Sequence, residues 1–226
     1  MGNCLHKFKI FKNGFTLAEV LITLVIVGVV AALTISPLVN TYVESSTVAK
    51  VKKGLSILGQ AKKLAEAQNG SIEGWDFGEG YSAETNLQFW NYLKPYISLA
   101  KDCGTQTDCY HTNAIYHLNG VNHGINHGGD NNYHKFALSD GSVMYFRIAL
   151  SGKCSTSEGG LDNVCASFFY DVNGSKSPNT YGKDIFMYFM TPNGVYPDLR
   201  TDCQKNSTGQ GCSGYIIKHN NMNYLH

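Results

Sequence analysis

One charged residue interrupts an apolar stretch near the N-terminus. The stretch runs from Phe15 to Val39, and Glu19 is its only charged residue. An apolar helix of about 20 residues is long enough to span the hydrocarbon core of a membrane, which is about 30 Å thick. A carboxylate inside such a helix costs roughly 2.5–3.5 kcal/mol on insertion scales. The sequence therefore predicts a membrane-spanning helix in which Glu19 needs a partner.

The residues before this stretch are basic. Lys7, Lys9 and Lys12 precede Gly14, and they favour a cytoplasmic N-terminus. No A-x-A cleavage pattern closes the apolar run, so an ordinary secretory signal is not indicated. An ordinary membrane anchor with an accidental Glu19 is the alternative. Without the three lysines the net charge of +1 becomes −2, which argues against a basic nucleic-acid-binding surface.

The segment Gly14–Val20, with the sequence GFTLAEV, resembles the class III signal of type IV pilins and type II secretion pseudopilins. The resemblance implies cleavage by prepilin peptidase between Gly14 and Phe15 and methylation of the new amine of Phe15. It also implies that Glu19 pairs with the N-terminal amine of a neighbouring subunit during assembly. In one respect the chain departs from the family, because Ser36 stands where a helix-bending proline is usual and Pro37 follows it.

By this resemblance the chain is expected to be a structural, non-enzymatic subunit of a helical pilus or pseudopilus filament. Its expected partners are the inner membrane, prepilin peptidase, an inner-membrane assembly platform, and other pilins or pseudopilins. The head would be periplasmic, or extracellular in the filament. A minor, tip or DNA-uptake subunit is one alternative, and nucleic acid is expected only there. A membrane-anchored metal-dependent enzyme or carbohydrate-binding module is the other.

The helix is predicted to continue beyond the membrane to Asn69–Gly70. Apolar residues recur there at helical spacing, while lysines and Glu66 occupy the opposite face. The apolar positions are Val48, Val51, Leu55, Ile57, Leu58, Ala61, Leu64 and Ala65, and the basic ones are Lys50, Lys52, Lys53, Lys62 and Lys63. The predicted regions are a cleaved leader (1–14), a membrane and assembly half-helix (15–39), an amphipathic half-helix (40–70) and a β-rich head (71–226).

The head is predicted to place an antiparallel sheet against the long helix, which makes the fold class α+β. A second helix starts at Ser82, with Leu87, Trp90 and Leu93 pointing inward, and ends near Pro95. The predicted strands are residues 136–138 and 143–148, which form a hairpin, then 166–170, 185–190 and finally 215–217.

Six of the seven cysteines lie after Gly14 in three close pairs. The pairs are Cys103/Cys109, Cys154/Cys165 and Cys203/Cys212. Six cysteines allow 15 connectivities, but pairing between neighbours closes short loops. Disulfides are the favoured interpretation and a metal site the alternative, although no pair has the C-x2-C spacing of zinc modules. The polar loop between the last pair is similar to the disulfide-bounded loop of type IV pilins.

The segment from Asp171 to Asp184 supplies several oxygen donors between two predicted strands. Asp171, Asn173 and Asp184 are the candidate Ca2+ ligands. The segment is similar to a pattern near the C-terminus of many pseudopilin-like proteins, in some of which it binds calcium. The other interpretation is an Asn-Gly turn held by side-chain hydrogen bonds.

Five histidines fall within a Gly- and Asn-rich region: His111, His117, His123, His127 and His134. Free imidazoles in an exposed loop are the simpler interpretation, and transition-metal binding is the alternative. No G-x-S-x-G, H-E-x-x-H or phosphate-binding glycine loop occurs, so no catalytic site is predicted.

Overall fold

The structure is a computed structural model, and it describes residues 14–107, 109–110, 113–125, 127–149 and 153–226. The leader lysines and His111 lie outside these residues. The chain divides into two compact units, Met1–Val43 and Glu44–His226.

Helix α1 (Leu17–Asn69) begins in the first unit and continues through Pro37. Most apolar side chains between Phe15 and Val43 are more than half exposed in the structure. The helix is long and apolar enough to cross a membrane, with a mean hydropathy of 2.6 in its most apolar 18-residue window. The first unit therefore fits a single membrane anchor.

The second unit contains a six-stranded antiparallel sheet and a separate hairpin. The order in the sheet is β1-β2-β3-β6-β7-β8, and β4 pairs with β5. The strands are β1 (Leu99–Gly104), β2 (His134–Leu138), β3 (Val143–Ile148), β4 (Thr156–Glu158), β5 (Leu161–Val164), β6 (Ala166–Asp171), β7 (Ile185–Thr191) and β8 (Gly194–Pro197). The predicted α+β class is confirmed, while β1, β4, β5 and β8 were not expected from the sequence.

The second half of α1 lies on one face of the sheet. Val51, Leu58 and Ala61 are fully buried in that core. Gly54 allows close contact, because a Cβ at this position would lie 2.8 Å from the Tyr170 ring. Lys62 was expected on the exposed face but is only 3% exposed. It pairs with Glu66 at 2.7 Å and donates to the Pro192 carbonyl at 2.9 Å, which compensates its burial.

Helix α2 (Ala83–Leu93) starts where the sequence predicted. The Ser82 hydroxyl accepts a hydrogen bond from the Thr85 amide at 3.1 Å and caps the helix. Trp90 and Leu93 are buried as expected, but Leu87 is 51% exposed. Phe89 is buried in place of Leu87. Residues 86, 89, 90 and 93 share one helical face, and this face packs against the core.

The other face of the sheet is also buried, by loops rather than by a helix. Tyr145, Phe169 and Met187 project into a second core, which the loop residues Ile115 and Tyr181 complete. Strands buried on both faces read as continuous apolar runs. This explains why β7, with the sequence IFMYFMT, lacks an alternating pattern.

The strand predicted at residues 215–217 is wrong, because these residues lie in helix α3 (Cys212–His219). The Ser213 hydroxyl donates to the Met187 carbonyl at 2.7 Å and accepts from the Asp198 amide at 3.0 Å. Asn220 ends the helix in a left-handed conformation. Contacts with β7 and β8 therefore override the local preference of the β-branched pair for strand.

In the described part of the chain, three disulfides join cysteines that are neighbours in sequence. They link Cys103 to Cys109, Cys154 to Cys165 and Cys203 to Cys212. Three further short segments are 3-10 helices, Ile72–Gly74, Lys94–Tyr96 and Asn223–Leu225. The last disulfide fixes the polar loop 204–211 to the first turn of α3.

Candidate functional site

The Glu19 carboxylate folds back onto the start of its own helix. Its Oε2 atom accepts hydrogen bonds from the Thr16 amide at 2.9 Å and from the Thr16 hydroxyl at 2.8 Å. The Glu19 amide in turn donates to the Thr16 hydroxyl at 3.2 Å. This reciprocal pattern is a capping box. The T-x-x-E spacing carries that signal in the sequence, but Thr16 was not singled out from it.

The peptide bond expected to be cut lies beside this cap. Phe15 is 87% exposed, and no residue in the described part of the chain crowds Gly14. The carboxylate also lies at the positive end of the helix dipole, which favours a negative charge. The arrangement holds an anion within the first turn and leaves the Gly14–Phe15 bond accessible.

The candidate calcium residues are brought together in the head. The Nδ2 atom of Asn173 donates to Asp184 Oδ2 at 3.0 Å, and the Asn173 amide donates to Asp171 Oδ1 at 3.1 Å. Asp184 also accepts from the amides of Asn179 and Thr180, at 2.8 and 2.6 Å. These hydrogen bonds are those expected if the loop is a turn held by side-chain hydrogen bonds.

Burial perturbs both carboxyl groups of this loop. Burial, and then the nearby Asp184, raise the pKa of Asp171 to about 8. Burial likewise raises the pKa of Asp184, against its hydrogen bonds to the Thr180 and Asn179 amides. The Oδ1 atoms of Asn173 and Asn179 are buried and have no hydrogen-bond partner among the residues that the structure describes. The loop therefore concentrates more oxygen acceptors than its donors satisfy.

The histidines do not form one exposed group. His127 is only 2% exposed and packs between the rings of Tyr133, at 4.6 Å, and Phe169, at 5.0 Å. Its Nε2 atom lies 3.1 Å from the Tyr181 hydroxyl. The interpretation as free imidazoles is therefore wrong for His127. It is also wrong for His134, which is buried in β2.

His134 belongs instead to a polar cluster centred on Asp102. The Asp102 carboxylate accepts from Trp90 Nε1, pairs with Lys94 Nζ and contacts His134 Nε2, each at 2.9 Å. Burial alone would raise the pKa of Asp102, but these hydrogen bonds lower it to about 2. The cluster joins the end of α2 to β1 and β2, and sequence reasoning did not identify it because its members are far apart along the chain.

Comparison with known protein families finds a match for one region of the chain. Residues 11–35 match the family described as the prokaryotic N-terminal methylation motif. Neither a curated protein nor a solved structure matches the chain significantly. The matched segment contains Gly14, Phe15 and Glu19. This segment is therefore the class III prepilin signal of type IV pilins and pseudopilins.

Proposed function

We propose that the chain is a structural subunit of a type IV pilus or a type II secretion pseudopilus. Prepilin peptidase cuts between Gly14 and Phe15, and the new amine of Phe15 is methylated. The subunit is then assembled from the inner membrane, with other pilins or pseudopilins, into a helical filament. The observation that carries this proposal is the methylation motif at residues 11–35 on a membrane-length helix.

Cleavage supplies a positively charged partner for Glu19, which none of the described residues provides in the precursor. In the precursor, Thr16 supplies hydrogen bonds but no positive charge to the carboxylate. Cleavage creates an α-amine at Phe15. An amine and a carboxylate that are each costly in lipid stabilise one another when two subunits meet. Glu19 thereby sets the register between neighbouring helices, and the N-terminus stays on the cytoplasmic side until extraction.

The experiment that tests this proposal is mass spectrometry of the N-terminus of the chain from its native membrane. We expect a mature chain that begins at Phe15 and carries one methyl group on its amine. In a Gly14→Val variant the leader should remain attached, and a Gly28→Val variant of the same helix serves as the control. An intact leader on the wild-type chain would contradict the assignment.

We further propose Ca2+ as a ligand of Asp171, Asn173 and Asp184. The two unpartnered amide oxygens and the two buried carboxyl groups of this loop support it. When bound, the ion would neutralise carboxylates that repel one another, so these residues fit the hard oxygen ligation that Ca2+ prefers.

Thermal unfolding of the full chain in detergent, with Ca2+ or with a chelator, tests the calcium proposal. Ca2+ should raise the midpoint of the wild-type chain and not that of Asp184→Asn, with Asp162→Asn as the control. If Ca2+ changes the midpoints of wild type and Asp184→Asn equally, the loop does not bind Ca2+ through Asp184 and is only a turn. That outcome would not affect the assembly proposal.

A further inference from the structure

We propose that His117 and His123 form a binding site for a divalent transition cation such as Zn2+. The two imidazoles supply two ligands, and water fills the remaining positions. This site is separate from the Asp171–Asp184 loop in its ligands, because it uses nitrogen rather than oxygen donors. It is also independent of filament assembly.

A small hairpin holds the two side chains on one face. The His117 amide donates to the Val121 carbonyl and the His123 amide to the Ile115 carbonyl, each at 2.8 Å. Tyr116 pairs with Asn122 at the centre of this hairpin. Since side chains alternate across a strand, residues 117 and 123 point to the same side.

The hairpin is in turn fixed to its neighbours. Tyr116 exchanges backbone hydrogen bonds with Asn179 and Tyr181, each at 3.0 Å. The amide of Leu118 donates to the Thr208 carbonyl at 3.0 Å, which ties the hairpin to the loop of the last disulfide. Ligands on a backbone held in this way lose little freedom when they bind an ion.

The spacing of the two ring nitrogens suits a tetrahedral ion. His117 Nε2 and His123 Nδ1 are 3.2 Å apart. Two nitrogens at that separation, each about 2.0–2.1 Å from Zn2+, subtend about 100° at the metal, close to the tetrahedral angle. The same separation fits an N–H···N hydrogen bond between the two rings. The ion therefore takes the position of the proton that the two nitrogens share.

That replacement needs no net loss of a proton. The proton shared between His117 Nε2 and His123 Nδ1 moves to the other nitrogen of the ring that carries it, Nδ1 of His117 or Nε2 of His123. His117 Nδ1 is buried and has no hydrogen-bond partner in the structure. A neutral imidazole is the form that binds metals.

His127 and Tyr181 act as supports rather than ligands. The His127 ring lies 5.4 Å from that of His123, and its Nε2 atom is engaged with the Tyr181 hydroxyl. Among the described residues, no three His, Cys, Asp or Glu side chains are placed to hold one ion. His117 and His123 are both half-buried, so solvent reaches the open positions. The site therefore binds an ion through two protein ligands, and it is weaker than a closed structural zinc site.

Calorimetric titration of the full chain, in detergent and without a histidine tag, tests this site with ZnCl2. We expect one Zn2+ per chain in the wild type and a loss of affinity of about tenfold or more in His117→Gln and His123→Gln. His219→Gln is the matched control, since His219 is an exposed imidazole on α3, and it should bind as the wild type does. Excess Mg2+ should not displace Zn2+ from this site, because imidazole is a poor ligand for it.

Two measurements on the wild type remain decisive if a variant fails to fold. Zinc-edge X-ray absorption should show two nitrogen ligands at about 2.0–2.1 Å with oxygens completing the shell. Proton–nitrogen spectra should show zinc-induced shifts of the imidazoles of His117 and His123. No binding by the wild type would overturn the proposal, and so would undiminished binding by both glutamine variants or shifts at other histidines alone.

Discussion

The apolar side chains of α1 have different surroundings before and after Val43. Before it, Leu24 and Leu33 are 64% and 72% exposed. After it, Val51 and Leu58 are fully buried against the sheet. The first half of the helix thus depends on lipid or on other chains to cover its surface. The second half is covered by its own chain.

The polar residues of the two regions differ in the same way. In the second unit, Asp102 and Lys62 find partners within the fold. Among the described residues, Glu19 is bonded to Thr16 in the first turn of its own helix. Substitutions in the first unit should therefore affect assembly, whereas substitutions in the second should affect folding stability.

The largest effect is expected for Glu19→Ala. Filament yield, measured by shearing and immunoblotting, should fall by about tenfold or more because the amine of Phe15 loses its partner. Cleavage, followed by mass spectrometry, and the unfolding of the head should not change. Glu79→Ala, an exposed carboxylate of the head, is the control. Normal filament yield in the Glu19 variant would contradict the expectation that the first unit acts in assembly and the second in folding stability.

Trp90→Ala should destabilise the head most. Trp90 stacks on Phe136 with ring centroids 4.5 Å apart and is fully buried. Its removal leaves a cavity and should cost about 3–5 kcal/mol of the free energy of unfolding. Urea denaturation of the full chain in detergent measures this cost. Leu87→Ala on the same helix removes a half-exposed side chain and should cost much less. Equal losses would show that α2 does not pack as described.

Gly54→Ala and Gly59→Ala form a matched pair on α1. The new methyl group at 54 meets the Tyr170 ring and should destabilise the head by about 1–3 kcal/mol. At 59 the space is open, so alanine should stabilise the helix by about 0.5–1 kcal/mol. Chemical denaturation of both variants checks the opposite signs. Stabilisation by both would mean that α1 lies farther from the sheet.

Asp102→Asn should give the smallest loss, and the loss should depend on pH. The folded-state pKa of about 2 lies below the ordinary value of 3.8, so the charged carboxylate stabilises the fold above about pH 4. That stability is lost as the pH falls towards about 2. At pH 7 the variant should be less stable by about 1–2 kcal/mol, since solvent partly screens the cluster. The difference from wild type should vanish near pH 2, and Asp76→Asn, at an exposed carboxylate, is the control. A difference that is constant with pH would contradict a charge effect.

Local signals in the sequence predicted several elements of the head. The Asp140–Gly141 turn and the Ser82 cap each act within a few residues, and the hairpin and α2 follow from them. Tyr215 and Ile217 also carry a local preference, for strand. That preference is overridden because Ser213 is bonded to β7.

The candidate sites also differ in whether the sequence alone predicts them. Glu19 and the Gly14–Phe15 bond are recognisable from consecutive residues. The contact between His117 and His123 depends on a hairpin and on its attachment to residues 179–181 and 207–208. No spacing along the chain predicts that attachment, because backbone hydrogen bonds between distant segments leave no periodic pattern.

Three features follow from the sequence alone: the membrane-length helix, the placement of Glu19 within it and the α+β class. They depend on hydrophobic runs and on residues close together in the chain. The packing of distant segments fixes which polar side chains are buried, that residues 215–217 are helical, and which histidines lie in contact. Those outcomes depend on contacts between segments that are distant in sequence, and such contacts outweigh local preferences of about 1 kcal/mol or less.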